Sequence, residues 1–197
     1  MIRVDVTCKS FAGTPVLQDI AFDVAKGETV AILGPSGIGK STLLSLIAGT
    51  DTDFDGRITR PEKLAIVFQE PTLLPWRSVI QNITLIHPSL PASAAKDALG
   101  RVGLAGKAAL FPNQLSLGQQ RRLALARAFA GTPDLLIMDE PFASLDHATS
   151  EDMLQLTETL ISESNPATIF VTHAPKEAAR LANRTLTLAG SPATLAT

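Results

Sequence analysis

Thr29-Val30-Ala31-Ile32-Leu33-Gly34-Pro35-Ser36-Gly37-Ile38-Gly39-Lys40-Ser41-Thr42 is the stretch that decides the fold. An apolar run of strand length enters a glycine-rich turn, and Lys40 to Ala48 then reads as a helix. Residues 34 to 41 fit G-x-x-x-x-G-K-[ST] in full. Glycines let the backbone wrap so that successive N–H groups point inward at phosphate oxygens. The helix N-terminus adds partial positive charge at the same point. In this setting Lys40 reaches the β- and γ-phosphates of a nucleotide, and Ser41 offers its hydroxyl to Mg2+.

Outward from this turn the same alternation recurs. Leu135 to Met138 is a second apolar run, followed by a loop and a helix over about 147–161. Thr168 to Thr172 is a third, followed by a helix over about 176–182. Strands apolar on both faces and alternating with helices predict a parallel sheet covered on both sides. Before Thr29 the pattern changes to short strands, with Ile2 to Thr7 alternating cleanly and Ile20 to Val24 loosely. The segment from about 71 to 130 shows no convincing buried strand. Ala95, Ala98, Leu99 and Val102 fall at helical spacing with Ser93 as a candidate N-cap, and a later helix starts near Gly118. Prolines at 71, 75, 88, 91 and 112 punctuate what reads as a helical insert within one domain spanning 1–197.

Composition sets outer limits. The 197 residues are 45% hydrophobic and 18% charged, enough to bury a sizeable core. Seventeen Lys and Arg against nineteen Asp and Glu give a net charge of -2, so nothing basic points to nucleic acid. Cys8 is the single cysteine, which excludes an internal disulfide framework. Met1-Ile2-Arg3-Val4-Asp5 lacks the apolar core of a signal peptide, and no apolar run is long enough to span a bilayer. The expectation is a soluble cytosolic chain whose contact with a membrane comes through a partner.

Asp139 and Glu140 end the second apolar run, where open parallel sheets bind their ligands. Asp139 suits a Mg2+ ligand acting through water, and Glu140 suits a group that orients or deprotonates an attacking water. His173 follows the third run and reaches the same edge of the sheet. A neutral imidazole there could hydrogen-bond the γ-phosphate, although taken alone a strand-end histidine reads first as structural. Gln69, after Leu64 to Phe68, could ligate Mg2+ or position water, although a single Gln is also ordinary surface chemistry.

Leu115-Ser116-Leu117-Gly118-Gln119-Gln120-Arg121-Arg122 opens a helix with Ser116 as a candidate cap. By mechanism alone it is an ordinary capped amphipathic helix. Its order after Gly34–Ser41 and Gln69, and before Leu135–Glu140, Ser144-Leu145-Asp146 and His173, resembles the nucleotide-binding subunit of ABC transporters over nearly the whole chain. That resemblance implies an α/β fold of the P-loop NTPase class, with a mainly parallel sheet flanked by helices, an N-terminal antiparallel β subdomain and a helical insert. It implies ATP and Mg2+ as cofactors and a homodimer with ATP at the seam. Gly34, Pro35, Ser36, Gly37, Ile38, Gly39, Lys40, Ser41 and Thr42 match the Walker A loop, and Gln69 the Q-loop. Ser116, Gly118 and Gln119 match the signature segment, which in the family touches the γ-phosphate held by a second copy. Asp139 and Glu140 match the Walker B acid and catalytic glutamate, Asp146 the D-loop, and His173 the switch histidine. For Asp146 a helix N-cap role fits as well. Phe11 stands where the family usually has an aromatic residue stacked on adenine, with Val16 adding apolar contact, although core packing would also account for Phe11.

Two departures stand out. Leu117 replaces the usual glycine of the signature, a position where positive φ would strain a leucine, so negative φ is expected. Only 24 residues follow His173, which implies no appended regulatory domain and abbreviated last strands. The segment Gln69 to Val79 holds the single Trp, Trp76, beside Leu73 and Leu74. It suits either a docking groove for a partner helix or packing inside the helical insert. In the family the transmembrane permease docks near this loop. Its wording is similar to that of bacterial importers for nitrate, sulfonates, taurine or thiamine-type precursors, which work with a solute-binding protein. The chain would then lie on the inner face of the cell membrane. A small-molecule kinase would not need Ser116–Gln119 or His173. A DNA-repair or chromosome-structuring ATPase would insert long heptads where only 97 residues separate Ser41 from Asp139. An intact Glu140 argues against a non-catalytic regulator.

Overall fold

The computed structural model describes residues 1–196. The chain divides into two compact units. The first comprises residues 1–66, 134–140 and the segment from Asn165 onward. Its first sheet pairs β1 (Ile2–Phe11) antiparallel with both β2 (Thr14–Val24) and β4 (Asp55–Thr59). Ile2, Val4 and Val6 point inward while Arg3, Asp5 and Thr7 face solvent, as strict alternation requires. The alternation stops at Cys8. Register shifts between Val6 and Cys8 against β4, and between Lys9 and Ser10 against β2, turn Lys9 inward to 2% exposure. These irregularities hide the full length of both strands, which run several residues beyond the expected 2–7 and 20–24.

The second sheet has the order β5 (Leu64–Val67), β6 (Leu135–Asp139), β7 (Ala167–Val171), β3 (Thr29–Leu33), β8 (Arg184–Ala189), β9 (Thr194–Leu195). β3 lies between β7 and β8 and runs parallel to both, and β6 runs parallel to β7. β9 runs antiparallel to β8. Residues 30–32, 135–138 and 169–171 are completely buried, as expected of parallel strands covered on both faces. The turn after β3 leads into α1 (Lys40–Ala48), and β7 leads into α6 (Pro175–Leu181). Consequently β3, β6 and β7 all deliver their carboxyl ends to one edge, the place where such sheets hold ligands.

The second unit comprises residues 67–133 and 141–164 and is helical. It contains α2 (Gln81–Thr84), α3 (Ala92–Arg101), α4 (Leu117–Ala130) and α5 (His147–Ser164). Ala95, Ala98 and Leu99 form the buried stripe of α3. Ser93 does not cap it: Pro91, extended at ψ 145°, stands at the cap position without a side-chain bond, and Ser93 falls inside the first turn. No helix of the described residues is long and apolar enough to cross a membrane.

Candidate active site

In the first unit the turn from Gly34 to Ser41 folds around the Lys40 ammonium. That group is 5% exposed, donates to the carbonyls of Gly34 (2.8 Å) and Pro35 (3.0 Å), and lies 3.8 Å from Glu140 Oε1. Gly39 caps α1 at φ 109°, and a Cβ there would meet Leu17 at 2.8 Å and Val16 at 3.2 Å. Gly34 is needed for a different reason: a Cβ would press on Ile38 Cγ2 and the Leu188 carbonyl, both at 3.0 Å. Ile38 itself packs into the core. Above this turn opens a cavity of about 360 Å³ lined by Phe11, Val16, Ser36, Gly37, Gly39, Lys40, Ser41, Thr42 and Glu140. Phe11 is exposed rather than packed into the core.

β6 brings Asp139 near the Ser41 hydroxyl, which favours its ionised form. Burial pushes the Asp139 carboxyl above its ordinary value, against the Ser41 hydroxyl and the pull of Lys40, while Glu140 adds to the rise. A hydroxyl and a nearby half-buried carboxylate are hard oxygen donors of the kind Mg2+ takes, and a cation would offset the cost of burying that charge. Glu140 follows with φ 44°, a left-handed conformation that costs a non-glycine residue energy and occurs at functional sites. Its N–H donates to the Val171 carbonyl (3.0 Å), and its Oε2 sits 3.2 Å from His173 Nδ1. Glu140 therefore bridges Lys40 and His173. A carboxylate so held can take a proton, with an ammonium and an imidazole beside it.

Three neighbours were invisible from the sequence. Thr172 donates through its hydroxyl to Glu177 Oε2 and accepts from the Ala174 N–H (3.0 Å). Glu177, in the first turn of α6, is held above the ordinary carboxyl range by burial, against that hydrogen bond and the charge of His173. An acid four residues after His173 was the available signal. Lys9 is the third.

Gln69, Ser116, Gly118 and Gln119 belong to the second unit, and Gln69 is exposed there. Ser116 closes a capping box: its Oγ accepts from the Gln119 N–H (3.3 Å) and its N–H donates to Gln119 Oε1 (3.2 Å). Leu117 opens α4 with helical, negative φ and is 46% exposed. Gly118 admits α5 closely, since a Cβ would meet Thr149 Cγ2 at 3.1 Å. Asp146 accepts from the Thr149 N–H (3.0 Å) and hydroxyl (2.6 Å), bonds that hold its carboxyl below the ordinary range. Ser116 to Gln119, Asp146 and Thr149 line a second cavity of about 410 Å³, with Ser144, Leu145, Arg122 and Asp152.

The loop after Gln69 is tied from inside the unit. Asn82, fully buried, accepts from the Leu74 N–H (2.8 Å) and donates to the carbonyls of Leu74, Arg77 and Ser78. Arg127 donates to the carbonyls of Pro71 and Thr72. Trp76 is 69% exposed, so it does not pack into the insert.

Residues 17–143 match the ABC transporter family. Over 190 residues the chain is 45% identical to the aliphatic sulfonates import ATP-binding protein SsuB 2 of Rhizobium johnstonii, covering 95% of this chain and 76% of that one. It is also 45% identical over 188 residues to SsuB 3 of Nocardia farcinica, with the same coverage. Among solved structures, the dimeric post-hydrolysis state of the ATP-binding cassette MJ0796 bound to ADP and Pi superposes with TM-score 0.85 at 27% identity, covering all of this chain and 97% of that one. An inward-facing putative metal-chelate type ABC transporter gives 0.84 at 31% identity, covering 94% and 78%.

Proposed function

The chain belongs to the ABC transporter family, as an ATP-hydrolysing subunit that powers import through a separate membrane permease, and from that premise we propose the roles of its site residues. Lys40 exchanges its bonds to the Gly34 and Pro35 carbonyls for oxygens of the β- and γ-phosphates, which offer it full negative charge. Phe11 and Val16 form the apolar wall for adenine, and Ser36 to Gly39 with Thr42 supply the cradle. Ser41 and Asp139 would hold Mg2+, which would neutralise developing phosphate charge. Glu140 accepts the proton of the attacking water, while His173 supports the carboxylate and donates to the γ-phosphate.

In the dimer characteristic of this family, Ser116, Gly118 and Gln119 of one copy face the triphosphate held by the other. ATP then favours the closed pair, and hydrolysis removes the preference. The segment Gln69–Val79 is the docking surface for the permease, supported by the exposure of Trp76 on a loop stiffened by Asn82 and Arg127. The subunit works at the cytoplasmic face of the membrane with a solute-binding protein across it. The names of the relatives support an aliphatic sulfonate as the imported solute.

The observation that carries the catalytic reading is Glu140 suspended between Lys40 Nζ at 3.8 Å and His173 Nδ1 at 3.2 Å on the wall of the cavity. Replacing Glu140 by Gln preserves shape and removes the base. The variant should bind ATP and dimerise while its turnover falls about 10²-fold or more. Hydrolysis at the parent rate, measured by phosphate release, would reject this role.

A further inference from the structure

Lys9 is a lysine that the register shifts of β1 turn inward, and it is 2% exposed. A buried ammonium persists only when its charge and its donors are satisfied. Here Nζ lies 2.9 Å from Asp51 Oδ2 and 3.1 Å from Oδ1, and it donates to the Asp53 carbonyl at 2.6 Å. Asp53 Oδ2 stands at 3.5 Å, and the Asp53 N–H donates to Asp51 Oδ1 (3.0 Å), which closes the acidic turn on itself. The remaining direction of the ammonium is taken by an aromatic ring: Nζ is 4.6 Å from the centroid of Phe11. That distance is within the range of cation–π attraction.

The two ends of this contact matter. Phe11 is the exposed aromatic on the wall of the nucleotide cavity, two residues from Lys9 on the same strand. Asp51 and Asp53 lie just beyond Gly49, which caps the helix that begins with Lys40. An exposed Phe at a strand end is free to rotate about χ1 and would have to be ordered when a base stacks on it. A cation fixed under the ring removes much of that freedom in advance.

We propose that Lys9 is a positioning residue of the nucleotide site, presetting the Phe11 ring as a stacking platform and tying it to the turn that follows the phosphate-binding helix. The proposal rests on the reading of Phe11 as the adenine contact. It assigns Lys9 to the base end of the ligand and leaves the phosphate end to the Gly34–Ser41 turn.

ADP and inorganic pyrophosphate separate the two ends, because only ADP carries a base. Calorimetric titration of Lys9→Met should show ADP bound about fivefold to tenfold more weakly and pyrophosphate changed by less than about twofold. Phe11→Ala should show the same selective loss. The double variant should bind ADP no more weakly than Phe11→Ala alone, because Lys9 acts through the ring. Lys9→Arg, which keeps a cation, should recover most of the ADP affinity. Should Lys9→Met fail to fold, Asp51→Asn weakens the same clamp and should give a smaller loss of the same selectivity. An equal loss of ADP and pyrophosphate, or additive losses in the double variant, would overturn the role of Lys9 while leaving Phe11 as the platform. No selective loss in Phe11→Ala would instead overturn the platform reading, and with it this proposal.

Discussion

Glu140 combines a catalytic carboxylate with backbone at φ 44°, so its side chain is aimed by a conformation the chain must be forced into. The bond from its N–H to Val171 helps impose that conformation. Beside it, Glu177 offers a separate test of the electrostatics. Burial raises its carboxyl pKa in the folded protein, so the charged form is disfavoured there relative to the unfolded chain. Its contribution to stability is therefore fully present below the ordinary carboxyl value of 4.5 and is lost as pH rises through the elevated folded value. Glu177→Gln keeps an acceptor for Thr172 without the charge. Its Tm should exceed the parent's at pH 7 to 8, and the advantage should vanish below pH 4 to 5 in thermal melts across pH. Of the residues around the cavity, Lys40, Ser41, Asp139, Glu140 and His173 were legible because each ends or follows an apolar run, and such runs are local signals. Lys9 and Glu177 were not. The inward turn of Lys9 comes from register shifts set by two partner strands, and Glu177 acquires its environment only when α6 folds back beside Thr172.

The elements that read most clearly were those with the strongest local chemistry. β3 and α1 have the bounds expected from the glycine-rich turn between them, and β6, β7, α4 and α5 agree within a few residues. β4 and β8 were missed for an evident reason. Asp55–Thr59 contains a glycine and little apolar character, and Arg184–Ala189 keeps most of its residues in solvent, so both are strands by virtue of the neighbours that pair with them. The buried strands in turn carry much of the stability. Phe170, fully buried in β7 between β3 and β6, should cost about 3–5 kcal/mol when replaced by Ala, read as a fall in the denaturant midpoint with unchanged m. Caps can be tested likewise. Asp146 holds the start of α5, and its carboxyl pKa is depressed by Thr149, so its contribution is present at neutral pH and fades as pH falls through the depressed value. Asp146→Ala should lower Tm by about 2–4 °C at pH 7, with the deficit shrinking as pH falls through the depressed value.

At the level of the whole molecule, the nucleotide is itself a stabilising element. A ligand bound only by the folded state at one hundred times its Kd adds about 2.7 kcal/mol, which for a chain of this size corresponds to a rise of about 5–10 °C in Tm. Differential scanning fluorimetry of Glu140→Gln with ATP and Mg2+ should record that rise, and Lys40→Met should abolish most of it. The crowding of Gly34 by the Leu188 carbonyl has a further consequence. Leu188 lies in β8, beyond the last motif, yet its main chain forms the floor on which the phosphate turn rests. A tag or break introduced between His173 and Ala189 would thus unseat the triphosphate cradle from underneath, so any engineering of the tail should treat β8 as part of the ligand pocket.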